Sequence, residues 1–278
     1  IPEMPYQLIL GDQHIDLAGK WQYRIGATTE SLAPHTFFHY MPAGLYNGMI
    51  VPISRYRMRG VLWYQGESNT EKPQGYSRLF QAMMRDWRKL WGIGDFPFLF
   101  TQLANFDGEE EPQHDGSVTS KWAQLRNEQR LALKSENTAM AVTIDIGEHN
   151  DLHPQDKKTL GKRLALSARK LAYGEELIYS GPLFARMERI GESIRLYFDH
   201  LGSGLIAKGD KDLHGFEICG PDGNYIAALA KIDGDAVVVS SDQVTAPRHV
   251  RYAWADNPAE ANLYNKEGLP ASPFTTEP

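Results

Sequence analysis

The sequence predicts an α/β protein followed by a small all-β region, on three observations. Between about residues 45 and 180, short apolar runs alternate three times with amphipathic helical patterns, the signature of βα units. The apolar runs are continuous rather than alternating with polar residues, as in strands buried on both faces of a parallel sheet. Beyond Gly181-Pro182 the helical periodicity gives way to short β-type runs split by turns such as Asp222-Gly223 and Asp233-Gly234, which suits a sandwich. The expected organisation is therefore a β-rich segment over residues 1–44, a candidate to pack with the C-terminal β region, then an α/β portion over 45–180 and an accessory β-sandwich-like domain over 181–278.

Taken in order, Leu8-Ile9-Leu10 and Trp21-Gln22-Tyr23-Arg24-Ile25 are β-like. Gly60-Val61-Leu62-Trp63-Tyr64 is an apolar run bounded by Gly60 and Gly66, which predicts a buried strand. Tyr76, Leu79, Phe80, Met83, Met84, Trp87 and Leu90 then recur at helical spacing and define one helix face. Residues 98–103 predict a second strand and Ser120 to Leu133 a second helix, with Trp122, Leu125, Ala132 and Leu133 apolar. Residues 140–146 predict a third strand. Leu160, Leu164, Ala168, Leu171 and Ala172 supply a third helix ending near Gly174. In the β region, the expected strands centre on 194–198, 215–218, 236–239 and 250–254.

Composition excludes several function classes. The 278 residues are 42% hydrophobic and 23% charged with a net charge of −6, an ordinary globular balance. No apolar run approaches the roughly 18 residues of a membrane helix, and the absence of Lys/Arg tracts argues against nucleic acid or anionic lipid as a partner. The single cysteine, Cys219, cannot form an internal disulfide. The chain begins Ile1-Pro2-Glu3, without Met or a signal region, and is expected to be processed, trimmed or fragmentary.

Three polar loops follow the three expected strand ends, where ligands bind in such sheets. They are Gln65-Gly66-Glu67-Ser68-Asn69, the stretch from Ala104-Asn105 to about Gly116, and Gly147-Glu148-His149-Asn150-Asp151-Leu152-His153-Pro154. Together they have the composition of an acyl-transfer site. His153 reads either as a general base held by a neighbouring carboxylate or as a polar loop histidine. Ser68 lies one residue short of a G-x-S-x-G elbow and reads as a nucleophile or as a loop-stabilising hydroxyl. Gln65 can donate its amide to an oxyanion or close a turn. His149 and His153 lie four apart, but the glutamate of a zinc helix is absent and Pro154 disfavours a helix interior, so no metal is expected. Tyr64, beside the first loop, is a candidate to stack on a sugar ring. Trp87 and Trp122 fall on apolar helix faces, and Tyr252 and Trp254 on strands, where packing is their ordinary role.

Leu45-Tyr46-Asn47-Gly48-Met49-Ile50, the Gly60–Asn69 block, Asp151-Leu152-His153-Pro154, Asn262-Leu263-Tyr264-Asn265 and Gly268-Leu269-Pro270-Ala271 resemble the sialate O-acetylesterase family of SGNH-type serine esterases. The resemblance implies a flavodoxin-like three-layer SGNH hydrolase domain with an accessory β domain. It also implies hydrolysis of O-acetyl esters of sialic acid or plant-wall glycans, without a cofactor. It makes His153 the catalytic histidine and places Gln65, Gly66 and Glu67 on the oxyanion side. Asn47, Tyr64 and Asn105 become candidate substrate contacts. The acid is expected to be Asp151, because the position three before His153 is Asn150; Glu148 and Asp145 stand in reserve. The family's Gly-Gln-Ser-Asn nucleophile block has no counterpart here. The resemblance therefore implies a C-terminal portion, incomplete at its N-terminus, whose serine lies on a companion segment, and it favours an extracytoplasmic setting. A non-catalytic glycan-binding relative and an esterase using Ser68 are the alternatives.

Overall fold

The three expected strands of the α/β portion form one parallel sheet, in the order β3 (Val61–Trp63), β4 (Phe98–Thr101) and β5 (Thr138–Ala141). The computed structural model describes residues 6–28, 30, 37, 41–107 and 120–277. Contacts divide the chain into two units, Ile1–Ile50 and Val51–Pro278. Within the first unit, β1 (Gln7–Leu10) pairs with β2 (Gln13–Asp16) as an antiparallel hairpin. Gly11 turns that hairpin at a φ of +61°. Trp21–Ile25 does not form the expected strand: Trp21, Tyr23 and Ile25 are all exposed, and alternation without a ladder partner or a buried face does not fix extended pairing. Asn47 lies exposed on a π-helical turn, Tyr46–Ile50.

In the second unit the helices are α1 (Tyr76–Trp91), α2 (Lys121–Leu131) and α3 (Lys157–Leu171). Each boundary has a local cause. Gly92 ends α1 in the left-handed region at φ +63° and donates its N–H to the Arg88 carbonyl. Ser120 and Asp156 cap α2 and α3 by accepting from the N–H groups of Ala123 and Thr159. Phe80 of α1 packs edge-on against Phe98 and Phe100, two residues apart on one face of β4. Trp87 is partly buried against Phe98, and Trp122 is partly buried on α2.

Two departures from expectation have physical reasons. β4, between its neighbours, is wholly buried, whereas β3 is the edge of this sheet and its Leu62 is 66% exposed. The third strand ends at Ala141 rather than Ile146. Past it, the Val142 carbonyl accepts from Arg163 (2.6 Å), and Thr143 Oγ1 donates to the Gln102 carbonyl (2.5 Å), so side chains replace the ladder.

The C-terminal strands are antiparallel. β11 (Leu229–Asp233), β12 (Ala236–Ser240), β7 (Ser193–Asp199) and β6 (Leu183–Ile190) form one sheet in that order. β10 (Tyr225–Ala227), β9 (Phe216–Cys219), β13 (His249–Tyr252) and β15 (Phe274–Thr275) form a second, and β14 (Leu263–Asn265) pairs with β8 (Leu205–Ala207). Phe184 and Phe198 of the first sheet meet Phe274 of the second, with ring centroids 4.6 and 5.8 Å apart, the interdigitation expected of packed sheets. Several ties join these strands to the α/β layer. Gln102 Nε2 donates to Ser272 Oγ (2.8 Å) and Tyr264 donates to Asp145 (2.9 Å). A Cβ at Gly181 would lie 2.1 Å from the Pro270 carbonyl oxygen. Among the described residues, no helix is long and apolar enough to cross a membrane.

Candidate active site

Parallel strands bring the loops at their carboxyl ends to one edge, and hydrogen bonds lock these loops together. Asn105, beyond β4, accepts the Gly147 N–H at Oδ1 (2.8 Å) and donates from Nδ2 to the Asn257 side chain (3.0 Å). The Asp107 N–H donates to the His149 carbonyl (2.8 Å). Tyr64, just before the first loop, faces the start of α3 just after the third, where the Lys157 ammonium lies 5.2 Å from the centre of its ring. The part of the second polar loop expected over 108–116 lies outside the described residues.

In the first loop, Glu67-Ser68-Asn69 form a single 3-10 turn. Gly66 precedes it where a Cβ would press on Gln129, Leu125 and Leu103 at 3.0–3.2 Å, so only glycine fits without displacement. Gln65 is held from several sides: its Nε2 donates to Asn69 Oδ1 (2.7 Å), Tyr76 donates to its Oε1 (3.0 Å), and Gln129 donates to its carbonyl (3.1 Å). One amide N–H is thus committed to the loop, leaving the other for a ligand. Tyr64 is half-exposed; burial, reinforced by the negative charge of Glu67, pushes its hydroxyl up to about 12. Ser68 is exposed.

In the third loop, Asp151 sits beside His153, but the pair is not hydrogen-bonded: His153 Nδ1 and Asp151 Oδ1 are 4.0 Å apart. The carboxylate instead accepts the His153 backbone N–H (2.8 Å) and the Gln155 side-chain amide (2.8 Å). These two donors, backbone first, hold Asp151 below the usual carboxylate range. The His153 ring is 86% exposed, and no serine or threonine hydroxyl among the described residues is hydrogen-bonded to it. Neither reserve carboxylate meets it. Glu148 accepts the Gln155 N–H (3.1 Å). Asp145 is clamped by Arg163 at 2.6 and 2.7 Å and by Tyr264. Among the described residues, no group of three or more His, Cys, Asp or Glu side chains is placed to hold a metal ion.

Two expected outcomes follow from this geometry. At Gly147 a Cβ would stand 2.5 Å from the Asn105 carbonyl oxygen and 2.7 Å from Oδ1, so Gly147→Ala must break the pairing between the second and third loops. A stability loss of about 2 kcal/mol is expected from overpacking plus the lost hydrogen bond, read by thermal denaturation. For Asp145, burial pushes the carboxyl up, but hydrogen bonds and charge from Arg163, with Tyr264, outweigh it and hold the group low. A lowered folded value stabilises the protein above the ordinary carboxylate pKa, and that contribution fades as pH falls toward the folded value. Asp145→Asn should therefore cost about 3 kcal/mol near neutral pH, because it leaves the Arg163 charge buried and unmatched. Melting both proteins across pH should show the gap narrowing below about pH 4.

The sequence reading missed the residues that hold these loops from beneath. Gln129, almost fully buried, accepts the Leu103 N–H (2.9 Å) as well as donating to Gln65. Arg126, fully buried, donates to four carbonyls, of Leu103, Ala104, Ala255 and Asp256, at 2.6–2.8 Å. Burial pushes its guanidinium down to about 9, with Asp256 opposing. Trp122, Arg126 and Gln129 share one stripe at i, i+4 and i+7, and polar residues on a tryptophan-bearing stripe were the available signal.

Comparison with known proteins places this arrangement. Residues 36–170 match the family described as carbohydrate esterase, sialic acid-specific acetylesterase. The human sialate O-acetylesterase is 32% identical over 256 residues, 83% of this chain and 48% of that protein. The mouse sialate O-acetylesterase is 30% identical over 260 residues, 84% of this chain and 47% of that protein. The crystal structure of a carbohydrate acetylesterase from Xanthomonas citri superimposes with a TM-score of 0.80 at 46% identity, covering 84% of this chain and 54% of that one. The chain spans about half the length of the curated relatives it matches. The chain thus matches the sialic acid-specific acetylesterase family of carbohydrate esterases over residues 36–170 and is similar to sialate O-acetylesterases over most of its own length.

Proposed function

We propose that this chain is part of a carbohydrate O-acetylesterase and supplies the base of a Ser-His-Asp mechanism, with the serine on a segment outside these 278 residues. The observation that supports it most is the meeting of three polar loops at one edge of the parallel sheet, with His153 exposed on the third and Gln65 fixed on the first. In this reading, His153 takes the proton from the serine hydroxyl as the oxygen attacks the acetyl carbonyl carbon, and returns it to the departing sugar oxygen. Water then hydrolyses the acetyl-enzyme by the same base. Asp151 orients His153 through the turn it closes. The free N–H of Gln65 Nε2, flanked by Gly66 and Glu67, stabilises the oxyanion, and one such donor is typically worth about 3 kcal/mol. Tyr64 and Asn105 contact the acetylated carbohydrate. The fold reading is a flavodoxin-like three-layer domain incomplete beside the exposed edge strand β3, with an accessory β domain over 181–278.

A fluorophosphonate probe tests this, with adducts mapped by mass spectrometry while 4-nitrophenyl acetate hydrolysis is followed. The expected result is no adduct on the chain alone, and labelling of an added serine-bearing segment together with turnover. An adduct at Ser68 with turnover by the chain alone would replace the companion-serine reading with an in-chain nucleophile. Acetylated glycan bound without turnover after the segment is restored would identify a non-catalytic relative.

A further inference from the structure

A line of hydrogen bonds starts in the core and ends at the side chain of Gln65. The Trp63 indole, which can only donate, gives its Nε1–H to the Tyr76 hydroxyl oxygen (3.5 Å). With a lone pair of that oxygen taken up by the indole, the single Tyr76 proton points onward, to Gln65. Two Gln65 oxygens lie within its reach, Oε1 at 3.0 Å and the main-chain carbonyl oxygen at 3.2 Å. The carbonyl already accepts from Gln129 Nε2 (3.1 Å), whereas Oε1 accepts from no other group among the described residues. The proton therefore belongs to Oε1. The relay is held rigidly by packing. Tyr76 is buried, its ring lies 5.7 Å from that of Phe80, and Phe80 stacks on Trp63 at 5.6 Å.

We propose that Tyr76 is a positioning residue for ester hydrolysis, acting through Gln65. The inference rests on the esterase reading and on the oxyanion role that Gln65 has in it. A glutamine amide turned over about its last torsion keeps its shape but exchanges donor for acceptor. With Oε1 held inward by Tyr76, Nε2 donates to Asn69 Oδ1 (2.7 Å) and keeps a second N–H for the oxyanion. Turned over, the amide would give up the Tyr76 proton and set Oε1 against Asn69 Oδ1, acceptor against acceptor. It would also offer an oxygen where negative charge develops, the reverse of what the reaction needs. The relay has a second effect in the same direction. A carbonyl oxygen that accepts a hydrogen bond polarises its amide, which strengthens the N–H groups at the other end as donors.

Tyr76→Phe keeps the ring packing and removes only the relayed proton. In the preparation that carries the serine, it should lower kcat for 4-nitrophenyl acetate about tenfold with KM unchanged, less than the roughly 10²- to 10³-fold expected for Gln65→Ala, which deletes the donor itself. In the Gln65→Ala background, Tyr76→Phe should cost nothing further, because both changes act through one amide. NMR of the present chain reads the positioning without turnover: the Tyr76 hydroxyl proton of wild type should exchange slowly with water, and Tyr76→Phe should displace the Gln65 side-chain amide resonances. A hydroxyl proton in fast exchange, unmoved Gln65 amide resonances, losses that multiply in the double variant, or a Tyr76→Phe kcat within about twofold of wild type while Gln65→Ala is impaired would overturn the proposal. Full turnover by Gln65→Ala would instead remove the oxyanion assignment, and this inference with it. Absence of turnover in wild type would refute the esterase reading, while the hydroxyl exchange and the amide resonances still decide whether Tyr76 fixes Gln65.

Discussion

Replacing His153 with alanine should lower ester hydrolysis by roughly 10⁴-fold in the preparation that carries the serine, the usual penalty for removing the base of such a triad. Stability should be unchanged. The ring is 86% exposed, and the His153 backbone N–H, which closes the turn on Asp151, survives the substitution. The Gln155 amide still donates to the His153 carbonyl (3.1 Å) and to Asp151, so the loop keeps its shape. Initial-rate measurements beside thermal melts therefore separate a chemical role from a structural one. A hydrolysis loss of less than about tenfold with normal melting would remove His153 from the mechanism.

The largest stability effect is expected at Arg126. Arg126→Met removes a guanidinium that donates to four main-chain carbonyls, but the four do not suffer equally. The Ala104 carbonyl keeps the Trp122 indole N–H (2.8 Å), and the Asp256 carbonyl keeps the Phe106 N–H (3.2 Å). The carbonyls of Leu103 and Ala255 accept from no other group among the described residues. An orphaned buried acceptor costs about 1–3 kcal/mol, so two predict a loss of about 4 kcal/mol. For a unit of this size, that is a fall of roughly 10 °C in Tm. Because Arg126 also joins the loop beyond β4 to residues 255–256, hydrolysis should fall with it even where the variant remains folded. A Tm within about 2 °C of wild type would show that the carbonyls find other donors.

The path from sequence to fold was open where a signal is local. Continuous apolar runs marked β4 and β5, and the stripe from Tyr76 to Leu90 marked α1, because burial on two faces or one face imposes those periods. β6 escaped: Leu183, Phe184, Ala185, Met187 and Ile190 are apolar but do not alternate regularly with the charged residues, and the largely exposed run pairs along a sheet margin, so its pattern carries no strand period. β14 escaped because three residues are too few to show a period. At the candidate site, the positions of Gln65 and His153 were legible as polar loops after strands. The partner of each side chain was not. Asn105 and Gly147 are 42 residues apart, and their bond exists because parallel pairing brings two loop bases together. The Asp151–His153 spacing suggests a side-chain pair, yet a carboxylate two residues before an N–H readily closes an Asx turn, and that is where Asp151 spends its oxygens. The role of Arg163 in locking Asp145 likewise depends on α3 crossing the end of β5.

The ties between the C-terminal strands and the sheet set an order of events during synthesis. Gln102 needs Ser272, Asp145 needs Tyr264, and Gly181 packs beneath Pro270. The ribosome therefore releases β4 and β5 well before the residues that complete their surroundings exist. At about 5–20 residues per second, the separations of 119 residues from Asp145 to Tyr264 and 170 from Gln102 to Ser272 amount to waits of seconds or more, during which Asp145 and Gln102 lack these partners. Until its last strands are made, the α/β layer has only its own contacts to hold it, among them Phe80 against Phe98 and Phe100.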